Sequence, residues 1–272
     1  MNRLKTSFVG AAMALLALPG AATERPLWEL GFGAGALRLP HYRGSDQSHN
    51  FLLPVPYFVY RGEIFKADRN GTRAVLFNSD SVDLDLSIAI SAPTRSRDND
   101  ARRGMTDLAP TFELGPNLNW TVARDRHWKF DLRLPVRAVA TLESRPNMIG
   151  WTATPNANLD IADLGGWNLG LLAGPVLNSR RLNGYFYDVA PSEATAGRPA
   201  YRSAGGYAGA QLVAALSRRS QQTWTGMFIK YDSLQGAQFA NSPLVRRRNT
   251  LAVGIALSWV FATSAQTVDV ND

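Results

Sequence analysis

A histidine, a serine, an aspartate and a second histidine crowd one short stretch, HYRGSDQSH, as His41, Ser45, Asp46 and His49. These are the residue types of a hydrolase: a hydroxyl nucleophile, an imidazole base and an acid to orient it. Such groups act only when the fold brings them together in three dimensions, and adjacency in one glycine-containing loop does not provide that. The stretch therefore reads as a structured surface turn. The third histidine, His127, falls at another turn. Asp98 and Asp100, in RSRDNDARR, resemble a fragment of a calcium loop, yet four arginines flank them, and a solvated, self-neutralising loop accounts for the pattern. No cysteine is present, so thiolate metal sites and disulfides are excluded. The expectation is no catalytic, cofactor-binding or metal-ligating residue.

A different set of charges is more regular. Asp83, Asp85, Glu113, Lys129, Asp131, Arg133, Arg137 and Asp160 stand opposite bulky apolar residues in alternating runs. In SVDLDLSIAIS (81–91), Val82, Leu84, Leu86, Ile88 and Ile90 face one way, and Asp83, Asp85, Ser87 and Ala89 the other. Residues 127–142 repeat the pattern with Trp128, Phe130, Leu132, Leu134 and Val136 against Lys129, Asp131, Arg133 and Arg137. TLAVGIALSWVF (250–261) places Leu251, Val253, Ile255, Leu257, Trp259 and Phe261 on every second position, with small residues between most of them. A period of two is a strand with one greasy face. Charges at mid-strand imply that water reaches the other face. They either line a channel or form a cross-strand ion-pair network that fills a closed barrel.

Twelve candidate strands emerge, at about 28–39, 51–59, 62–68, 71–78, 81–91, 108–123, 127–142, 151–162, 167–178, 204–217, 223–233 and 249–261, and ten is the alternative count. Pro54 and Pro56 weaken the second. No helix is expected. The connections alternate in length. Short turns at 78–80, 124–126, 163–166 and 218–222 oppose long polar loops at 40–50, 92–107, 143–150, 179–203 and 234–248. Trp28, Trp128, Trp151, Trp167 and Trp259 lie near strand ends, where membrane-interface girdles place aromatics. The fold expected is all-β: a transmembrane antiparallel up-and-down barrel with short periplasmic turns and long extracellular loops.

The first residues agree. Arg3 and Lys5 precede an apolar run from Phe8 to Leu18, with Gly20 and Ala22 placed for cleavage before Thr23. Residues 1–22 thus read as an export signal, too short to span a bilayer as a helix. Residues 23–261 read as the barrel, and 262–272 as a polar tail beyond Phe261, the aromatic at which barrel precursors commonly end. Without Arg3 and Lys5 the chain keeps a net charge of +5, almost all of its base being arginine. In an exported protein that favours anionic lipid, lipopolysaccharide or an acidic partner over nucleic acid.

Three stretches have more fixed loop detail than barrel scaffolding needs: YRGSD (42–46), YFYDVAPSEATAGRPAYRSAGG (185–206) and YDSLQGAQFANSPLV (231–245). With YRGEIF (60–65) they resemble the MipA/OmpV family of outer-membrane proteins, over about Trp28 to Phe261. The residues that carry the resemblance are Tyr42, Gly44, Ser45, Asp46, Tyr201, Gly205, Asp232, Ser233, Leu234, Ser242 and Pro243. It implies a non-enzymatic barrel in the outer membrane. It further implies a scaffold that joins a lytic murein transglycosylase to a penicillin-binding protein in peptidoglycan remodelling. The alternative is a pore or surface antigen with no murein role.

Overall fold

A computed structural model describes residues 23–61, 65–68, 71–79 and 81–270. The expected export signal (1–22), Gly62 to Ile64 of the YRGEIF motif and the last two residues of the tail lie outside the described residues. The strands of the main sheet are β1 (Trp28–Pro40), β2 (Ser48–Arg61), β3 (Phe65–Asp68), β4 (Gly71–Asn78), β5 (Val82–Ser91) and β6 (Thr111–Arg124). They continue as β7 (Trp128–Thr141), β8 (Met148–Ala153 and Asn156–Leu164), β9 (Trp167–Asn178), β10 (Gly206–Arg219), β11 (Thr223–Ser233) and β12 (Asn249–Thr263). β8 is one strand in two pieces, because both pieces pair with β7 on one side and β9 on the other. Pro155, which has no N–H to give the ladder, falls at the break.

All neighbours are antiparallel and consecutive, and β12 pairs back onto β1 from Val253↔Arg38 to Thr263↔Glu29. Every strand is thus bonded to a neighbour on either side, although among the described residues β2 meets β3 only at Tyr60 and Arg61 and its remaining length is paired with β1 alone. Pairing of this kind suits a membrane, since hydrocarbon offers nothing to an unpaired N–H or C=O. The turn at 163–166 shows how tightly the strands reverse. Asp163, Gly165 and Gly166 all have positive φ, a conformation that two glycines adopt without the usual side-chain penalty.

The inside of this fold is reversed relative to a soluble protein. Leu52, Ile90, Trp120, Leu212, Leu251, Ile255, Leu257, Trp259 and Phe261 are all exposed, and they form the outer face. On β12 the alternate residues Thr250, Ala252, Ser258 and Val260 are buried on the inner face. The outer face of each long strand is thus the greasy face read from the sequence, and hydrocarbon is its solvent. The longest strands, of 12 to 15 residues, exceed the 9–11 needed to cross when tilted as barrel strands are, whereas β3 and β4 have 4 and 8 residues. Trp128, Trp151 and Trp259 stand exposed near strand ends, as an interfacial girdle would.

Two features depart from the sequence expectation. A helix, α1 (Arg180–Tyr187), occupies the 179–203 loop, with the Ser179 hydroxyl capping the amide of Leu182. Its apolar residues, Leu182, Tyr185 and Phe186, pack beside Val139 and Ile149. Eight residues are too few for helical periodicity to stand out. The polar tail also has structure. Thr267–Val270 pairs with Thr23–Pro26 in a two-stranded ribbon that prolongs the β12–β1 seam past the barrel on the short-turn side.

Candidate functional site: the lumen and its roof

The inner face is defined by contacts that skip strands. Arg219 Nε on β10 lies 2.9 Å from the Glu29 carboxylate on β1, although β11 and β12 stand between them in the sheet. Arg61 on β2 grips the other oxygen of Glu29 at 2.6 Å. The Tyr57 and Trp224 rings, on β2 and β11, meet at 5.6 Å. Only side chains that point into the barrel can make such contacts. Glu29, Tyr57, Trp224, Arg61 and Arg219 thus form a bolt across the short-turn end. Sequence reading missed it, although Glu29 occupies the inward position between Trp28 and Leu30, which the alternation could have given.

The eight charges singled out from sequence lie on the inner sides of β5 to β8, and seven of them fall into three groups. Asp131 is almost wholly buried and meets Arg133 at 2.9 Å and Lys129 at 3.4 Å, while Arg133 also reaches Asp160 at 3.3 Å. Arg137 pairs with Glu113 at 2.9 Å and donates to the Ser87 hydroxyl at 3.0 Å. Asp85 accepts from the side-chain amides of Asn117 (3.2 Å) and Asn119 (2.7 Å). Asp83 is not drawn into any of these; its Oδ1 is buried without a hydrogen-bond partner among the described residues. Opposite this ionic wall, Phe228 and Leu37 converge on the space in front of Gly254.

At the long-loop end a second core exists, unlike anything along the strands. Tyr42, Ala101, Met105, Leu108, Tyr187, Val189, Leu234, Phe239 and Leu244 are buried together, and they come from four different loops. Phe239 is 0% exposed, with its ring stacked on Tyr187 at 3.7 Å. Hydrogen bonds tie loop to loop. Tyr42 Oη donates to the Leu244 carbonyl, Tyr187 Oη to the Arg43 carbonyl and Ser242 Oγ to the Tyr187 carbonyl. The buried Arg198 donates to the carbonyls of Ala101 and Arg103, and Arg102 to that of Phe186. Arg43 reaches down to Asp232 on the inner face of β11 at 2.9 Å, where Lys230 adds a longer pair at 3.6 Å. Loops that leave opposite parts of the ring and share one core must cross the mouth. They form a roof.

The residues that carry the family resemblance assemble this roof. Tyr42, Leu234 and Ser242 are in its core or bond into it, Asp232 anchors Arg43, and Ser233 joins β11 to it. The Gly44 carbonyl accepts from both Arg246 and Arg247, and Gly44 itself has φ +95 with Leu234 closely packed against it. Gly205 lies so close to the start of α1 that a Cβ would meet the Arg180 backbone at 2.6 Å. Tyr201 pairs with Val189, Pro243 sits between Ser242 and Leu244, and Asp46 is exposed.

The His41 and Ser45 corner has a structural arrangement. Ser45 Oγ donates to the Gln47 carbonyl (3.0 Å), and the buried amide of Asn99 donates both to Ser45 Oγ and to His41 Nδ1, each at 3.1 Å. Asn99 therefore stands between hydroxyl and imidazole, bonded to both. His41 stacks on His49 at 3.8 Å. Burial, reinforced by His49, holds the His41 imidazole below its ordinary range, against an opposing pull from Asp98 and Asp46. Burial pushes the Tyr42 hydroxyl up to about 12. Asp98 and Asp100 make exposed pairs with Arg97 and Arg103, and the described residues hold no cluster of three or more metal-ligating side chains.

A twelve-stranded antiparallel sheet whose last strand pairs with its first, with an apolar exterior, an ionic interior and unequal ends, defines an outer-membrane β-barrel protein. The chain belongs to the family described as MltA-interacting protein MipA, whose model matches residues 32–261. Outer membrane protein OmpV of Vibrio cholerae is 27% identical over 228 residues, which covers 80% of this chain and 81% of that protein. Omp26La of Vibrio anguillarum matches at the same identity and coverage. Among solved structures, an outer membrane channel from Pseudomonas putida F1 aligns over 89% of this chain and 99% of that one, with 12% identity and a TM-score of 0.45.

Proposed function

We propose that this protein works by binding, as an outer-membrane anchor for peptidoglycan-remodelling enzymes, and not by conducting solutes. The observation that carries this reading is the roof: four loops share a buried apolar core over the mouth, above an interior crossed by ion pairs. A solute would have to unpack Phe239, Leu234 and Leu244 to pass. The binding reading draws its partner from the family description, which names interaction with MltA. On that basis the partners are a lytic murein transglycosylase and, through it, a penicillin-binding protein. The surfaces available to them are the short turns and the terminal ribbon. Affinity purification from crosslinked envelopes is the test. Recovery of the transglycosylase is expected, and its consistent absence would remove the scaffold.

The second reading is a selective pore lined by Asp83, Asp85, Glu113, Lys129, Asp131, Arg133, Arg137 and Asp160. The lumenal charge favours it, and the roof opposes it. Discrete steps in planar-bilayer recordings of the purified barrel would decide for the pore.

A further inference from the structure

The five long loops carry thirteen arginines against seven carboxylates, so the extracellular end holds more net positive charge than the exported chain as a whole. Most of the roof's inward-facing arginines are accounted for by partners. A group on the outside of the wall is not. Arg38 is the clearest case. Leu37 shares the inner face with Gly254, so Arg38 points outward from β1, and it is exposed. It lies ten residues along β1 from Trp28. At about 3.3 Å per residue and a tilt near 40°, that is roughly 25 Å, the full height of the apolar band. Arg38 thus stands at the level of the outer-leaflet headgroups. Asn50, its register partner on β2, is exposed on the same outer surface, directly above Leu52.

The 234–248 loop ends beside this place. It contains Arg246, Arg247 and Arg248 and no carboxylate, and all three arginines are exposed. Their backbone is pinned: the amides of Arg246 and Arg247 both donate to the Gly44 carbonyl, and the Arg248 carbonyl accepts from Leu234. Immediately below, Leu251 begins the outward-facing apolar positions of β12, two residues before the level of Arg38. None of Arg38, Arg246, Arg247 or Arg248 forms an ion pair among the described residues, whereas Arg43, Arg61, Arg133, Arg137 and Arg219 all do. Four exposed guanidinium groups with no ion pair among the described residues, three of them on a pinned backbone, and an amide lie near the hydrocarbon boundary and match one kind of partner. That partner must carry several phosphates on a headgroup and acyl chains beneath it. Guanidinium groups bind phosphate through paired N–H donors.

We propose that Arg38, Asn50 and Arg246–Arg248 form a site on the outer wall of the barrel for the phosphates of an outer-leaflet glycolipid. Its acyl chains lie along Leu52 and Ile255, both at the level of Ala36, two residues below Arg38. The site is independent of the murein reading, because it faces the opposite side of the membrane and uses none of the surfaces assigned there.

The test uses the full-length exported protein in nanodiscs of phosphatidylcholine containing a small fraction of diphosphoryl lipid A. Native mass spectrometry counts the lipid A retained. Matched discs carry fully dephosphorylated lipid A, and inorganic phosphate is the soluble competitor. Selective retention of the diphosphoryl lipid is expected. In the R246Q/R247Q/R248Q variant it should weaken about a hundredfold, and in R38Q about fivefold, at the usual worth of one surface cation against anionic lipid. R202Q, which removes a roof arginine elsewhere, should leave it unchanged. Equal retention of the dephosphorylated lipid, or a triple variant that binds like the parent, overturns the proposal. Displacement by inorganic phosphate at concentrations matching the lipid assigns a free anion and overturns it as well. If the triple variant fails the heat-modifiability assay for folding, R38Q alone carries the decision, and unchanged retention there refutes the site.

Discussion

At the scale of single residues, the two faces of a strand obey different solvents. Ile255 is 52% exposed at the middle of β12, on the lipid side. Ile255→Arg should cost about 2–4 kcal/mol, read as a shift in the urea unfolding midpoint of the barrel folded in vesicles. Ser87→Arg, on the wet side of β5, should cost less. An equal cost at both positions would show that the faces are misassigned. His41 gives a prediction with a definite sign. Its imidazole is held below the ordinary value of 6.5, first by burial and then by His49, so the unfolded loop takes up a proton that the folded roof resists. The stabilising contribution is therefore present above pH 6.5 and is lost as the pH falls below it. Asn99, Asp46 and Asp98 face the same ring, the carboxylates opposing the effect. Near-ultraviolet circular dichroism should show the roof melting earlier with acidification, and His41→Gln should flatten that dependence.

At the scale of elements, the roof and the wall are stabilised by different means and should fail separately. Phe239→Ala removes a fully buried ring stacked on Tyr187 and should cost about 3–5 kcal/mol within the roof. Hydrogen exchange should then rise across 234–248 and 179–205 while the amides of β5 to β8 stay protected. Uniform deprotection would mean that roof and wall form one cooperative unit. The contrast between the two also explains what the sequence disclosed. Strand positions were legible because lipid demands a bulky residue at every second place. The expected 223–233 is observed as Thr223–Ser233, and 167–178 as Trp167–Asn178. The roof was not legible, because its core is assembled from single residues of four loops, with no period to betray Tyr42, Leu108, Val189 or Phe239 as buried neighbours. The motif residues marked the right loops without revealing that they pack on one another. Helix α1 was hidden for the same reason. Lumen pairs such as Arg137–Glu113 depend on register, which alternation alone leaves open.

For the whole molecule, the bolt at Glu29 links the β1–β2 hairpin to β10, which is distant from it in sequence. Glu29→Ala would leave Arg61 and Arg219 facing each other without their carboxylate. Discounted for lumenal water, the loss should be about 3 kcal/mol in global stability, measured by thermal unfolding in detergent. Wild-type stability in that variant would mean that water already screens the pair. The terminal ribbon has a wider consequence. Thr23 lies opposite Val270, so the first and last described residues are one strand spacing apart. A ring whose ends already touch can be opened elsewhere. Joining Thr23 to Val270 through a few glycines and cutting at the 220–222 turn would give a circular permutant with the same wall. In that rearranged chain the β12–β1 seam, otherwise the longest-range pairing in the sheet, becomes an ordinary hairpin.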